Sequence, residues 1–323
     1  TENMNAISSP LGYSGHYGIF PQQSAVETSE LLERLSVMRK QECIYRVDDY
    51  LQNIPQHSTN VDAWCRSKMV LWCYSVIDYV SFNRETVLIA ISYLDRFIST
   101  RSERARLVVK DRREYQLAAM TSLYMAIKLF EPKKINMECL AELSRGSYTS
   151  SDLSGMEADM LFDLKWYLNG PTAVSFLEHY VSLLPVGTFG TTANRALILE
   201  NARYEIELSV TQYNLVTQAP SNIAVVALIN SIQRMTSVKS IRGERSRIMK
   251  SIKFFTGIDP CDLSLGFLIT RMHNLRREQT LVLSRRSSPI SSVPTNYEQS
   301  KVQVPSQPQQ ASCGHSSPNS CVA

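Results

Sequence analysis

The chain has 323 residues, of which 44% are hydrophobic and 20% are charged, and this ordinary globular composition excludes a wholly disordered protein. Lysine and arginine total 34 against 30 acidic residues, and the net charge of +4 is too small to require a polyanionic partner. Only 12 residues are glycine, which favours a helical protein over folds built on many tight turns. At roughly 100–200 residues per domain, this length predicts two domains, or one large domain with tails.

The cysteines and the apolar runs indicate the cellular compartment. The seven cysteines are scattered, and none forms a CxxC pair or joins a histidine at zinc-ligand spacing, which predicts a reducing environment. No charged-then-apolar signal stretch opens the sequence, and the longest apolar runs are too short to cross a bilayer. We therefore expect a soluble, intracellular protein that binds no membrane.

In chain order, the first elements are an arm, a helix and a first helical group. Residues 1–28 contain three glycines and two prolines and predict an irregular arm, and residues 29–59 predict an N-terminal helix with a linker. Five segments with helical apolar spacing follow between residues 60 and 170, and Asn169-Gly170-Pro171 ends the group. The basic residues 101–113 interrupt the pattern and are expected to form an interhelical loop.

After Pro171 the pattern repeats. Five more helical segments lie within residues 171–280, and prolines and glycines separate them. Residues 281–323 are rich in Ser, Pro and Gln, which predicts a disordered tail. The sequence therefore predicts an all-α protein with two consecutive groups of five helices.

Motifs for catalysis are absent from the sequence. It contains no GxxxxGK[ST] phosphate loop, no GxGxxG after a strand, and neither HExxH nor GxSxG. The five histidines are far apart, and His179 has no recognisable catalytic partner in the sequence. We therefore expect a binding protein that is not an enzyme and that needs no metal or cofactor.

Two charged residues lie at the borders of apolar helix faces. At 100° per residue, Lys128 lies about 80° from Met120, and Glu157 lies about 60° from Met160. A charge in such a position is available to pair with a charge on a partner protein. On periodicity alone, however, the simpler interpretation is that both side chains extend to water from the edge of the core.

Four segments between residues 60 and 170 carry the motifs of one family. They are Cys65-Arg66-Ser67-Lys68-Met69-Val70-Leu71-Trp72; Glu85-Thr86 with Tyr93-Leu94-Asp95-Arg96-Phe97; Gln116-Leu117-Ala118-Ala119-Met120 with Ala126-Ile127-Lys128; and Met156-Glu157 with Leu164-Lys165-Trp166. Together they resemble the helix motifs of the cyclin family. The D type is most similar, because it shares residues 163–166, 176–179 and 258–261.

The resemblance implies a fold and a function. The fold is two five-helix cyclin folds after an N-terminal helix, and the function is that of a regulatory subunit in a heterodimer with a cyclin-dependent serine/threonine kinase. Such a subunit controls cell-cycle progression in the nucleus and cytoplasm, performs no catalysis and binds no nucleic acid. The kinase-binding residues that the resemblance carries over are Lys128, Glu157, Phe130 and Glu131.

The family also docks substrates and inhibitors through a shallow patch that binds Arg-x-Leu motifs. The matching positions here are Met69, Trp72, Arg112 and Gln116. Lys68 stands where the family has an aliphatic residue, and its charge would repel a basic motif. We therefore expect a weak docking patch.

The resemblance further implies a buried structural ion pair between Asp95 and Arg96.

The tails contain three Ser-Pro dipeptides, the minimal proline-directed phosphorylation sites, at Ser9, Ser288 and Ser317. Such dipeptides are frequent by chance in segments rich in serine and proline, so they stand as candidate sites only.

Three other functions remain open at this point. A transcription-type protein with a cyclin fold would bind DNA or a polymerase and would need a basic face on the second group. A scaffold that has lost kinase binding would keep the fold alone. An enzyme on a helical scaffold has no motif to support it.

Overall fold

The computed structural model describes residues 25–52, 60–184, 186–235 and 239–287. Their regular elements are twelve α-helices and two short 3-10 turns, so the all-α prediction is confirmed for this part of the chain. The candidate phosphorylation sites Ser9, Ser288 and Ser317 lie outside it. The helices are α1 (Ala25–Ile44), α2 (Ala63–Val80), α3 (Glu85–Ser99), α4 (Glu103–Lys110), α5 (Arg112–Phe130), α6 (Met137–Leu143), α7 (Ser150–Asp163), α8 (Ala173–Leu183), α9 (Thr192–Val210), α10 (Pro220–Arg234), α11 (Lys239–Thr256) and α12 (Leu263–Ser287).

Helices α2 to α7 form the first group, with α5 at its centre. Residues 117–123 of α5 are all buried, as expected for a helix that lies inside a core. Helix α3 packs along α5 and contributes the fully buried side chains of Tyr93, Leu94 and Phe97. Helices α2, α4 and α7 also pack against α5.

Side-chain caps fix where these helices begin. Asp62, Ser102 and Asp111 each accept a hydrogen bond from a backbone N–H in the first turn of α2, α4 and α5. Thr149 and Thr172 form capping boxes at the starts of α7 and α8. Each cap pairs a donor that the first turn leaves free, and contributes about 1 kcal/mol.

Helices α8 to α12 form the second group around α10. Residues 223–232 of α10 are all buried, and α8, α9 and α12 pack against it. Inside this group the carboxylate of Glu205 pairs with Arg234 and accepts a hydrogen bond of 3.0 Å from Asn230 Nδ2. The two groups therefore share one plan, a central buried helix surrounded by others.

Helix α1 and the segment after it join the two groups. Helix α1 packs against α8 and α10, and Glu42 accepts hydrogen bonds from the backbone N–H (3.0 Å) and the hydroxyl (2.8 Å) of Ser221. The ring of Tyr45 packs against Gly170, where a Cβ atom would lie 2.5 Å from Tyr45 Cδ1. Only glycine allows so close an approach between the linker and the ring.

Three segments differ from the sequence-based expectation. Most of residues 101–113 are helical rather than a loop, because residues 103–110 form α4 and α5 begins at Arg112. Only Ala105 and Val108 of α4 are buried, so its apolar pattern was too short to stand out among the basic residues. Helix α1 begins at Ala25, inside the segment predicted to be irregular, and α12 continues to Ser287, beyond the predicted start of the tail.

Candidate partner-binding site

Lys128 and Glu157 form an ion pair on the surface of the first group, where the end of α5 lies beside α7. The Lys128 Nζ atom is 3.2 Å from Glu157 Oε1, and the two side chains are 53% and 13% exposed. Nζ also lies 5.6 Å from the ring centroid of Tyr124, within the range of a cation–π contact. Because an ammonium group has three donors, Lys128 can bind Glu157 and a further acceptor at the surface.

Large apolar side chains are exposed on the same two helices. Leu129 and Phe130 are about half exposed at the end of α5, while Phe162 and Trp166 are 81% and 70% exposed at the end of α7. Lys165 and Trp166, just after the end of α7, both have left-handed φ angles, of 51° and 61°, so the chain leaves the helix there. Leu129 and Phe162 are not among the contact residues that the resemblance implies, and Trp166 belongs to a family motif without an implied contact. A signal existed for Phe162, because helical spacing places it opposite the buried face of α7.

Glu131 lies in the interior, unlike the partner contact expected from the resemblance. Its Oε1 atom accepts a 3.0 Å hydrogen bond from the backbone N–H of Asn83 and another from the hydroxyl of Thr86. Glu131 thereby fixes the turn that leads into α3. The structure corrects its assignment, because a buried carboxylate committed to α3 is not available to a partner.

Asp95 pairs with Arg66, not with Arg96. Arg66 of α2 donates from Nε to Asp95 Oδ1 (2.9 Å) and from Nη2 to Oδ2 (2.7 Å), and the Tyr50 hydroxyl donates to Oδ1 (2.8 Å). Asp95 and Arg96 are consecutive on α3, so their side chains leave the helix about 100° apart. Arg96 instead stacks on the ring of Tyr45, and the expected Asp95–Arg96 pair is corrected accordingly.

The expected docking-patch residues lie on α2 and on the first turns of α5, two helices that pack against each other. Met69, Trp72 and Gln116 are partly buried, and Arg112 is exposed. Arg112 already has an acidic partner, because its Nη2 lies 3.5 Å from Asp62. The structure therefore places all four residues on one pair of helices and shows that Arg112 is partly neutralised.

Lys68 adds a positive charge to the exposed side of α2. Its Nζ lies 5.2 Å from the ring centroid of Trp64, and both side chains are exposed. An arginine-led motif that docked across α2 would therefore meet a fixed cation. The weak docking of a basic motif therefore stays a prediction.

The described residues offer little for catalysis. Among them, no group of three or more His, Cys, Asp or Glu side chains is arranged to hold a metal ion. His179 is bound within its own helix, with Nδ1 2.7 Å from the carbonyl oxygen of Ser175. None of the helices in this part of the chain combines the length and apolar character that crossing a bilayer requires.

Comparison with known proteins places these features in a family. Residues 33–169 match the cyclin N-terminal domain. Cyclin-A1-4 of Oryza sativa subsp. japonica is 27% identical over 180 residues, which are 56% of this chain and 47% of the relative. G1/S-specific cyclin-D1 of Xenopus laevis is 27% identical over 168 residues, which are 52% of this chain and 54% of the relative. The chain thus spans about half the length of each, and the D type that the motifs resemble is among its relatives.

A solved structure supports the fold. A viral cyclin from herpesvirus saimiri superimposes with a TM-score of 0.56 at 16% sequence identity. The superposition covers 76% of this chain and 96% of the viral protein. The likeness therefore extends over nearly the whole viral protein and confirms an all-α cyclin fold.

Proposed function

We propose that the chain, whose residues 33–169 match the cyclin N-terminal domain, is a cyclin that binds and activates a cyclin-dependent serine/threonine kinase. It acts as the regulatory subunit of a heterodimer, in the nucleus and cytoplasm, in the control of cell-cycle progression. The observation that carries the proposal is the Lys128–Glu157 pair, in which an exposed lysine at the end of α5 binds a largely buried glutamate of α7 at the surface of the first group.

Activation requires no catalytic group on this chain. The partner kinase has a helix whose glutamate must pair with the ATP-site lysine before phosphoryl transfer proceeds. A regulatory subunit that binds this arrangement more tightly than the inactive one shifts the kinase towards it. A shift from about 1% to about 99% active takes roughly 5.5 kcal/mol of differential binding.

The surface at the ends of α5 and α7 has the composition to supply that energy. Trp166, Phe162 and Phe130 are exposed in the isolated chain, and full burial of one such side chain contributes about 1.5–3 kcal/mol. Aromatic anchors of this kind dominate protein interfaces. Lys128 and Glu157 help to orient the partner, because the lysine donates and the glutamate accepts hydrogen bonds at defined positions.

The α2–α5 patch is proposed as a second, weaker contact. Met69, Trp72, Arg112 and Gln116 bind a segment of a substrate or inhibitor there. Lys68 adds a positive charge to this patch, whereas Arg112 is partly neutralised by Asp62, so the docked segment is less basic than an ordinary Arg-x-Leu motif.

A second candidate function has one observation in its favour. Helix α11 of the second group carries a set of exposed basic residues, as a transcription-type protein that binds nucleic acid requires. They are Arg245, Arg247, Lys250 and Lys253. However, Glu244 lies 3.1 Å from Arg247, and Asp259 lies 2.5 Å from Lys253, so acidic neighbours partly neutralise this face. Kinase binding is the better supported of the two.

The test compares the wild-type chain with two double variants in a pull-down from cell extract. The first variant, Lys128→Ala/Glu157→Ala, removes the candidate contact. The second, Arg203→Ala/Glu178→Ala, removes a comparable exposed ion pair from the second group and serves as the matched control. Circular dichroism verifies that all three chains keep the same helical content.

Co-purified kinase activity is the readout. We expect the wild type and the control to bring down a kinase, and the Lys128→Ala/Glu157→Ala chain to bring down much less. If the wild type brings down no kinase, or if both variants lose it equally, the proposed site is wrong. Salt-dependent binding of the wild type to a DNA duplex, without any kinase, would favour the second candidate instead.

A further inference from the structure

A cavity of about 460 Å³ lies where the two helical groups and the end of α1 meet. Its walls come from α3, from the segment around Tyr45, from the linker at Gly170 and from α10. Pockets that hold small organic molecules have volumes of about 300–1,000 Å³. The space is therefore large enough for a small-molecule ligand, and the proposed kinase-binding surface does not include it.

Arg96 lines this cavity and has no acidic partner among the described residues. Its side chain is nine-tenths buried, and its buried Nη1 atom has no hydrogen-bond acceptor in this part of the chain. Its guanidinium group lies 4.4 Å from the ring centroid of Tyr45, which covers one face of the plane and leaves the N–H edge unpaired. Asp95, the nearest carboxylate in sequence, has both oxygens committed to Arg66.

The other charges around the cavity balance one another. Glu42 and Arg46 carry opposite charges, and Arg66 is paired with Asp95. Arg96 is therefore the charge that lacks a counterpart among the lining residues. Its pKa is lowered by burial, yet guanidinium remains protonated at any physiological pH. A buried permanent cation of this kind is stabilised by an oxyanion, whose two oxygens match the fork of N–H donors.

We propose that this cavity binds a small organic anion, whose carboxylate or phosphate group pairs with Arg96 while the rest of the molecule fills the space between the two helical groups. The side-chain amides of Gln218 and Asn222 also line the cavity and supply neutral hydrogen-bonding groups. Because the walls come from α1, α3 and α10, a bound anion stabilises their arrangement by linkage. The inference goes beyond kinase binding and does not depend on it.

The test measures binding of three probes to the full chain by isothermal titration calorimetry, at one ionic strength set with sodium chloride. The probes are phenyl phosphate, benzoate and the neutral benzyl alcohol. We expect at least one anion to bind about tenfold more tightly than benzyl alcohol, the difference expected of one charge-assisted hydrogen-bonded pair. Which anion binds more tightly distinguishes a phosphate ligand from a carboxylate ligand.

Two variants assign the binding to Arg96. Arg96→Met, which keeps the bulk and removes the charge, is expected to weaken the anion about tenfold. Arg46→Met removes an exposed charge at the same cavity and is expected to weaken it less than about fivefold. If circular dichroism shows that Arg96→Met is unfolded, Arg96→Lys replaces it, because lysine keeps the charge but loses the planar fork.

Four outcomes would overturn the proposal. In the first, neither anion binds the wild type; in the second, benzyl alcohol binds as tightly as the anions. In the third, the Arg96 variant binds the anion as tightly as the wild type does. In the fourth, Arg46→Met weakens the anion as much as the Arg96 variant does. The first outcome would mean that water alone occupies the cavity beside Arg96.

Discussion

The first helical group contains two ion pairs of the same chemical type in opposite surroundings. Arg66 and Asp95 are 3% and 5% exposed and form two hydrogen bonds, whereas Lys128 is 53% exposed and forms one with Glu157. The interior pair has no contact to offer a partner, because Tyr50 and the surrounding helices enclose it. In the surface pair the lysine is accessible to a partner, although Glu157 is only 13% exposed. The comparison shows that exposure, more than charge, separates a structural pair from a binding pair.

The largest effect is expected from Asp95→Ala. This change leaves the Arg66 guanidinium buried without its counter-charge, and it removes the acceptor of the Tyr50 hydroxyl. Loss of one partner from a buried pair costs about 3–5 kcal/mol. Urea unfolding followed by circular dichroism should show a loss of that size in the free energy of unfolding.

A matched double variant separates the charge effect from the loss of packing. Arg66→Met/Asp95→Leu removes both charges and keeps the volume, so it should be clearly more stable than Asp95→Ala. If the double variant is as unstable as Asp95→Ala, the pair matters for its hydrogen bonds and shape, and the account of an uncompensated charge fails.

The surface pair should behave in the opposite way. Lys128→Ala is expected to change the free energy of unfolding by no more than about 1 kcal/mol, because the Lys128 side chain is 53% exposed and exposed charges contribute little. The same urea titration measures this change. A loss comparable to that of Asp95→Ala would contradict the view that this pair is kept for binding.

A smaller effect on the free energy of unfolding, which depends on pH, is expected at Glu85. Its carboxylate lies partly buried at the start of α3, unlike the exposed charges. Burial raises the pKa of Glu85 from its usual value of 4.5, although a hydrogen bond from the Thr172 hydroxyl opposes the shift. A raised pKa means that the folded state holds the proton more tightly, so stability falls as pH rises above about 4.5.

Glu85→Gln tests this sign. The variant lacks the ionisation, so its stability relative to the wild type should be higher at pH 7 than at pH 4. Urea unfolding at the two pH values gives both differences. An equal difference at both pH values, or a larger one at pH 4, would show that burial of Glu85 does not oppose its ionisation.

Much of the fold could be predicted from the sequence, because apolar residues recur at helical spacing along the long helices. Helices α3 and α5 carry continuous apolar patterns, and their predicted segments agree with the structure within a few residues. Helix α4 was missed because eight residues with two buried side chains give almost no period. Apolar periodicity thus identifies a helix only when enough of its side chains are buried in the core.

The candidate site was less accessible to sequence reasoning. The border positions of Lys128 and Glu157 alone favour side chains that extend to water, and the resemblance to the family marks the two as a pair; in the structure their charged groups are 3.2 Å apart. Glu131 was misassigned because nearness to Lys128 in sequence does not reveal that its carboxylate turns inward to Asn83. The partner of Asp95 was missed for a related reason, since Arg66 lies on another helix and periodicity within one helix cannot identify it.

The most direct test of the account is a photo-crosslinking amino acid placed at Phe162 in one chain and at Leu263 in another. Both side chains are among the most exposed apolar residues described, but Phe162 lies on α7, the helix that carries Glu157, whereas Leu263 opens α12 in the second group. After irradiation in cell extract, mass spectrometry identifies the crosslinked peptides. The account predicts that a cyclin-dependent kinase is crosslinked at position 162 and not at position 263. A kinase crosslinked only at position 263, or at neither position, would contradict it.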